Sequence, residues 1–390
     1  MRLRLACIAL LLAGCPGEPE PDCGPSTTVP TPRTHLAGGW DAVNGRLVAV
    51  GGDQGAVVEC EPQPSFTNQA VAFDATCGGF VALGGDTLPF PRGGHAATTN
   101  STRQTLYLHG GRHRDTGQGG EYSVFGDLWA LEFGTDTWTE LTPSGDPPGR
   151  FDHALVFAGG VVVHGGNRST GASVDALDDL WRYDLLTGLW ERLEPTGGPG
   201  PRHQHAAAAG PTGQTIYVFG GAGGVGQPAE ADLWALTLDP PEWTELHDGG
   251  GGPERRVGAS LAVDEANNRL LLFGGQDDGP LGYRNDLWAF DLNARSWTAL
   301  AAGDVAGSSS ASGCGRTADA VVQDLTAPER RAFAAVALGN DGGLRVFAGR
   351  TECGAIDDVW SWSGSWSRLR EATAGRSCAR AGLDCTTICP

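Results

Sequence analysis

Six arginines recur at one place in a repeating pattern, and they are the side chains best suited to do chemistry. Arg33, Arg92, Arg150, Arg202, Arg256 and Arg331 each stand a few residues ahead of an alternating apolar run. A guanidinium fork suits a carboxylate or another anion, so a ring of such forks reads as an anion site. The repetition itself points the other way, because a site rarely needs six equivalents. On that structural reading each arginine pairs with an acidic or carbonyl group of a neighbouring repeat. Arg255 and Arg330 stand beside repeat arginines, are less repetitive, and are better placed for ligand contact. The candidates for ligand binding are therefore Arg92, Arg150, Arg202, Arg255, Arg256, Arg330 and Arg331.

Other reactive types are also tied to the repeat. Asp127, Asp179, Asp232 and Asp286 each open an Asp-Leu-Trp phrase. Catalytic carboxylates would be unique, so these are expected to cap loop amides or to pair with the arginines. His95, His153 and His205 follow a repeat arginine at the third position, and His109 and His164 precede a Gly-Gly pair. With His113 and His203 they raise the question of a metal, but their order matches no familiar ligand spacing. They are expected to be hydrogen-bonding core residues. Asp277-Asp278 with Asn285-Asp286 is a fainter candidate for calcium. No cofactor is implied.

Several chemistries are excluded. No Gly-x-Ser-x-Gly and no His-Glu-x-x-His is present, and all 27 basic residues are arginine. Without lysine there is no Walker-type phosphate lysine and no Schiff base. Against 46 acidic residues the net charge is −19, which repels phosphate backbones and argues against a nucleic-acid partner.

The elements that must position these residues are strands. Asp127-Leu128-Trp129 with Trp138 recurs as Asp179-Leu180-Trp181 with Trp190, Asp232-Leu233-Trp234 with Trp243, and Asp286-Leu287-Trp288 with Trp297. A looser copy is Asp358-Val359-Trp360 with Trp366. Each follows a β-rich run ending in Gly110-Gly111, Gly165-Gly166, Gly220-Gly221, Gly274-Gly275 or Ala348-Gly349. A sixth unit opens the series, with Gly51-Gly52, Val71 in place of the first tryptophan and Phe80 in place of the second. Short apolar runs such as Leu270 to Phe273, bounded by Gly and Asn, read as strands, about four per unit. One such sheet cannot bury both faces. Six of them stack face to face around an axis, with the regular tryptophans filling the gaps.

Gly-Gly, then Asp-Leu-Trp, then a second Trp, with Arg and His ahead, resembles the kelch repeat over about residues 32–370. The resemblance implies an all-β fold, a six-bladed kelch-type β-propeller with four antiparallel strands per blade. Its architecture is similar to galactose-oxidase-like central domains. The copper centre of that enzyme is not implied, because it needs a Tyr–Cys cross-link and the central blades have no cysteine.

Antiparallel order within a blade puts the second-to-third-strand loops and the blade-to-blade connections on one face. Those loops, 53–68, 112–126, 167–178, 222–231, 276–285 and 350–357, are long and irregular, and the longest connection is 301–327. Loops on a rigid scaffold carry function, so that face is the expected binding face. The same topology brings Cys314 and Cys353 together as an expected disulfide, and Cys60 with Cys77 as a local one. Cys23, Cys378, Cys385 and Cys389 are expected where the first and last blades meet, tying the seam.

Residues 1–14 read as a signal peptide with Arg2, Arg4 and an apolar run too short to span a bilayer. Leu12-Ala13-Gly14-Cys15 resembles a bacterial lipobox, with Cys15 as the lipidation site. Residues 15–31 are a proline-rich tether, 32–370 the propeller and 371–390 a cysteine-rich tail. The expectation is a lipid-anchored module of the bacterial cell envelope, attached to the membrane through its N-terminal lipid, that engages a protein or glycan through its long-loop face. The alternative is a sugar enzyme of the kelch mutarotase or oxidase type, with substrate at the channel mouth.

Overall fold

The computed structural model describes residues 29–373, apart from 56, 59–60, 86, 103, 116–120, 142–146, 172, 225, 278–280, 307–320, 323 and 353. Six four-stranded antiparallel sheets follow one another along the chain, at 37–83, 96–141, 154–193, 206–247, 260–301 and 335–370. Within each sheet the strands lie side by side in chain order. Their innermost strands, Ala37–Asp41, Ala96–Asn100, Ala154–Phe157, Ala206–Ala209, Ser260–Asp264 and Ala335–Leu338, touch in succession, and the last touches the first. The result is a closed ring of six blades. Among the described residues the one helical element is a single 3-10 turn, Glu265–Asn267.

The core is divided into six parts, each between two sheets. Val156, Leu180 and Leu193 meet Ile216, Leu236 and Trp243 between the third and fourth sheets. Val71, Phe73 and Phe80 meet Ala335, Phe347 and Val359 across the seam between first and last. Trp138, Trp190, Trp243 and Trp297 are 4–8% exposed. Burying an aromatic of this size stabilises by about 2–3 kcal/mol. Phe80 takes the tryptophan's place in the first sheet. It pairs with Phe73 at a ring separation of 5.0 Å, as Trp297 pairs with Phe290 at 5.0 Å.

Among the described residues no strand is exchanged between the first and last sheets, and a bridge between Arg33 and Ile356, side chains and loops close the seam. Trp40 Nε1 donates to Asn340 Oδ1 (2.9 Å), Asn340 Nδ2 donates to the Ala42 carbonyl (2.6 Å), and His35 stacks on Phe333 at 4.1 Å. The cysteines expected to tie the seam lie outside the described residues, as do Cys15, Cys60, Cys314 and Cys353. Cys77 is disulfide-bonded.

Two of the expected irregular loops are partly strand. In the third sheet, strands Val161–Asn167 and Ala176–Asp184 run into the 167–178 segment. In the fifth, Arg269–Gln276 and Tyr283–Asp291 close in on 276–285. Pairing resumes past the Gly-Gly pair with a register shift, at His164/Gly166 and Phe273/Gly275. The bulge lets the ladder continue where the glycine pair would otherwise end it. Small ribbons also extend the long-loop face, among them Arg112–His113 with Ser123–Val124 and Arg350–Thr351 with Gly354–Ala355.

Candidate functional site

Each repeat arginine is an internal brace. Arg150 donates to both oxygens of Asp179 (2.6 and 2.8 Å), to the Gly165 carbonyl (3.0 Å) and to the Pro148 carbonyl (3.0 Å). Trp181 Nε1 donates to the same carboxylate at 2.8 Å. The set recurs as Arg92 with Asp127 and Trp129, Arg202 with Asp232 and Trp234, Arg256 with Asp286 and Trp288, and Arg331 with Asp358 and Trp360. These arginines are at most 2% exposed. Burial pushes the carboxyls of Asp127, Asp179 and Asp286 up, but the guanidinium charge and the hydrogen bonds outweigh it. All three end below the usual carboxylate range.

The partner is an aspartate of the arginine's own sheet, not of a neighbouring one as the structural expectation had it. What reaches the neighbour is the arginine's main chain. The second glycine of each pair donates its N–H to the arginine carbonyl of the next sheet: Gly52 to Arg92, Gly111 to Arg150, Gly166 to Arg202, Gly221 to Arg256 and Gly275 to Arg331, at 2.8–3.1 Å. Gly349 to Arg33 (3.0 Å) completes the circle. The first sheet lacks the carboxylate. There Arg33 donates to Gln69 Oε1 at 2.5 Å, and burial lowers its pKa to about 10, with Asp357 opposing.

Arg330 also lies inside. It is 4% exposed and joins Asp304 (3.1 Å), Glu352 (3.1 Å) and the Leu281 carbonyl (2.6 Å), pinning the connection after the fifth sheet. Of the seven arginines proposed as ligand contacts, only Arg255 stands at the surface. The others are spent on the scaffold, and none lines the space at the axis.

The histidines join blades. His153 Nε2 meets His109 Nδ1 at 3.1 Å, His205 Nε2 meets His164 Nδ1 at 3.1 Å, and His95 Nε2 meets the Val50 carbonyl at 3.1 Å. Burial, with nearby arginines adding to it, lowers His95, His109 and His164 to about 3, so these imidazoles are neutral. Among the described residues no three His, Cys, Asp or Glu side chains gather as a metal would require.

The departures from repetition collect at the mouth of the axis on the long-loop face. Two residues past each repeat arginine the chain turns left-handed, at His35, Gly94, Asp152, Gln204, Gly258 and Phe333, with φ of 52–65°. Five N–H to O=C bonds link them head to tail from His35 to Phe333, at 2.6–2.9 Å. Non-glycine residues in this conformation cost about 1 kcal/mol or more each, and such strain concentrates at functional sites. Gln204 Nε2 donates to Asp152 Oδ2 at 3.0 Å. The cavity that these residues border is about 130 Å³. Burial pushes the His35 imidazole down; Asp152 opposes this, while Arg112 and Arg350 add to it.

Beside the mouth lies an aromatic and guanidinium patch. Arg112 packs over Tyr122 (4.5 Å) and Phe151 (4.3 Å), and Arg114 over Tyr122 (4.5 Å). His113 lies 5.5 Å from Phe66 and 4.7 Å from Phe90, and Phe90 is 54% exposed. Sequence reasoning named His113 only in passing and missed the rest. The available signal was variation at the second position after each repeat arginine, against an otherwise constant frame.

A family profile described as the KLHDC2/KLHL20/DRC7 Kelch-repeats domain matches residues 22–211, 160–324 and 208–385. The chain is 35% identical over 158 residues to the serine/threonine-protein phosphatase BSL2 of Arabidopsis thaliana, covering 39% of this chain and 15% of that protein. It is 28% identical over 226 residues to the dynein alpha chain, flagellar outer arm, of Chlamydomonas reinhardtii, covering 54% of this chain and 5% of that protein. The matches thus span a small fraction of those relatives' lengths.

Proposed function

This chain belongs to the kelch-repeat family, and on that premise we propose that its long-loop face docks a protein partner around the axis mouth. The observation that carries this reading is the separation of roles among residues. Repeated arginines, aspartates and histidines are buried in the frame, while the unrepeated Phe66, Phe90, Arg112, His113 and Tyr122 gather beside the mouth. Aromatic side chains and arginine are the types that anchor protein interfaces.

The test is capture from an extract of the source cells. Phe90→Ser and Arg112→Ala should lose the captured protein. Leu186→Ser, at a residue 87% exposed on the opposite face, should keep it. Capture indifferent to all three substitutions would place docking elsewhere.

We further propose that the propeller is an envelope lipoprotein, held to a membrane through a lipid on Cys15 and the proline-rich tether. The Leu12-Ala13-Gly14-Cys15 phrase after an apolar run supports this. Radiolabelled fatty acid should enter the wild type and not Cys15→Ser, which should move to the soluble fraction. Equal labelling of both forms would remove the anchor from the account.

A further inference from the structure

An off-axis cleft of about 270 Å³ opens between the third and fourth sheets on the long-loop face. Asp178, Arg192 and Glu194 stand at its rim, Gly197 to Gly200 pass over it, and His164 and Trp243 form its floor. The two rings are 5.1 Å apart and only 3% and 7% exposed. His164 Nδ1 is engaged by His205. Among the described residues neither His164 Nε2 nor Trp243 Nε1 has a hydrogen-bond partner. At the sister positions the indole nitrogens of Trp138, Trp190, Trp297 and Trp366 are sealed in and unbonded. Trp243 instead lines the cleft, beneath Gly197 to Gly200.

The Trp243 indole nitrogen carries a hydrogen, and His164 Nε2 carries one in the tautomer in which His205 donates to His164 Nδ1. His95 Nε2 faces a carbonyl and must donate to it. Given that same tautomer, His205 would donate to His164 Nδ1 and leave the hydrogen on His164 Nε2. An indole N–H can only donate. The floor therefore asks for acceptor oxygens, and the rim offers carboxylates that ask for hydroxyl donors.

Charge decides among ligands with oxygens. Asp179, also on the wall, is neutralised by Arg150, and Glu194 by Arg192 at 3.2 Å. Asp178 is left, in a chain of net charge −19. A carboxylate or phosphate would be repelled, and a cation would meet two N–H groups at the floor. We propose that this cleft binds a neutral monosaccharide unit, whose oxygens accept from Trp243 and His164 and whose hydroxyls donate to Asp178 and Glu194. The site is separate from the axis mouth and does not depend on the docking reading.

The experiment is calorimetric titration of the purified chain with neutral hexoses, N-acetylhexosamines and their methyl glycosides, with glucuronate as the charged control. At least one neutral sugar should bind saturably and glucuronate should not. Trp243→Phe and Asp178→Ala should each weaken that binding about fivefold or more, the worth of one hydrogen bond. Phe90→Ser should leave it unchanged. Phe80 fills the tryptophan's place in the first sheet, so Trp243→Phe should fold. Should it not, exposed Asp178→Ala carries the test alone. Equal binding of a methyl glycoside and its free sugar marks the end of a glycan as the natural ligand; binding of the free sugar alone marks a soluble sugar. No saturable binding across the set, or binding untouched by the cleft substitutions, overturns the proposal.

Discussion

At the scale of single residues, the arginines show how a side chain suited to anions is consumed by its own fold. A buried guanidinium is tolerated only with a fixed counter-charge and most of its remaining donors satisfied, and five of six repeats supply these through an aspartate and a carbonyl at the end of the second strand, a glycine's in four and that of Ala348 in the last. Arg33 has Gln69 instead. Gln69→Glu should therefore stabilise the chain by about 1–2 kcal/mol, read as a raised denaturation midpoint; an unchanged or lowered midpoint would show that Asp357 already does the work. The histidines make the opposite bargain and stay neutral. An unfolded histidine titrates near 6.5, whereas His95, His109 and His164 are held at about 3. Below pH 6.5 the unfolded chain takes up protons that the folded chain refuses. Stability complete above pH 6.5 is thus lost as pH falls toward 3, at about 1.4 kcal/mol per pH unit for each imidazole. The fourth and fifth sheets use Phe219 and Ala259 where the third and fourth use His164 and His205. The double variant His164→Phe/His205→Ala should show a smaller fall in melting temperature between pH 7 and 5 than the wild type; an equal fall would contradict the neutral assignment. The sequence made the recurrence of these residues legible. It did not show which sheet each partner belongs to, because a constant spacing is the same for a contact within a repeat and between repeats.

At the scale of the element, the Gly-Gly pair does two jobs, and in the sixth sheet Ala348, at φ 60°, takes the place of its first glycine. At Gly220 φ is 64°, and a Cβ would stand 2.8 Å from the Arg256 carbonyl. At Gly221 the amide hydrogen serves that same carbonyl. Gly220→Ala should cost about 1–2 kcal/mol through strain and the displaced contact, read as a lower midpoint with an unchanged slope in urea. No loss would mean that the neighbouring strand yields more easily than its hydrogen bonds suggest. Strand number and the Phe80 substitution were readable from alternation and spacing. The extent of the third and fifth sheets was not, since Asp178 and Asn285 look like loop residues, and only a bulge lets strands carry them. The axis ring was missed for a related reason. Its residues share a backbone conformation, not a side-chain type, and left-handed turns at Asp152, Gln204 and Phe333 leave little trace in composition.

At the scale of the whole molecule, six near-equal sheets leave one inequivalent place, the seam. It is closed by the same glycine-to-arginine bond as every other junction, with the His35–Phe333 stack and the Trp40–Asn340 bond added. A ring built this way has a frame of repeated residues and a face of unrepeated ones, and binding belongs to the face. The most direct test of that division measures melting temperature and partner capture on two variants side by side. Asp179→Asn strips a buried arginine of its counter-charge and should destabilise by about 3 kcal/mol while the folded protein still captures its partner. Phe90→Ser should leave the melting temperature in place and abolish capture. If Asp179→Asn lost capture while folded, or Phe90→Ser bound as the wild type does, frame and face would not be separate.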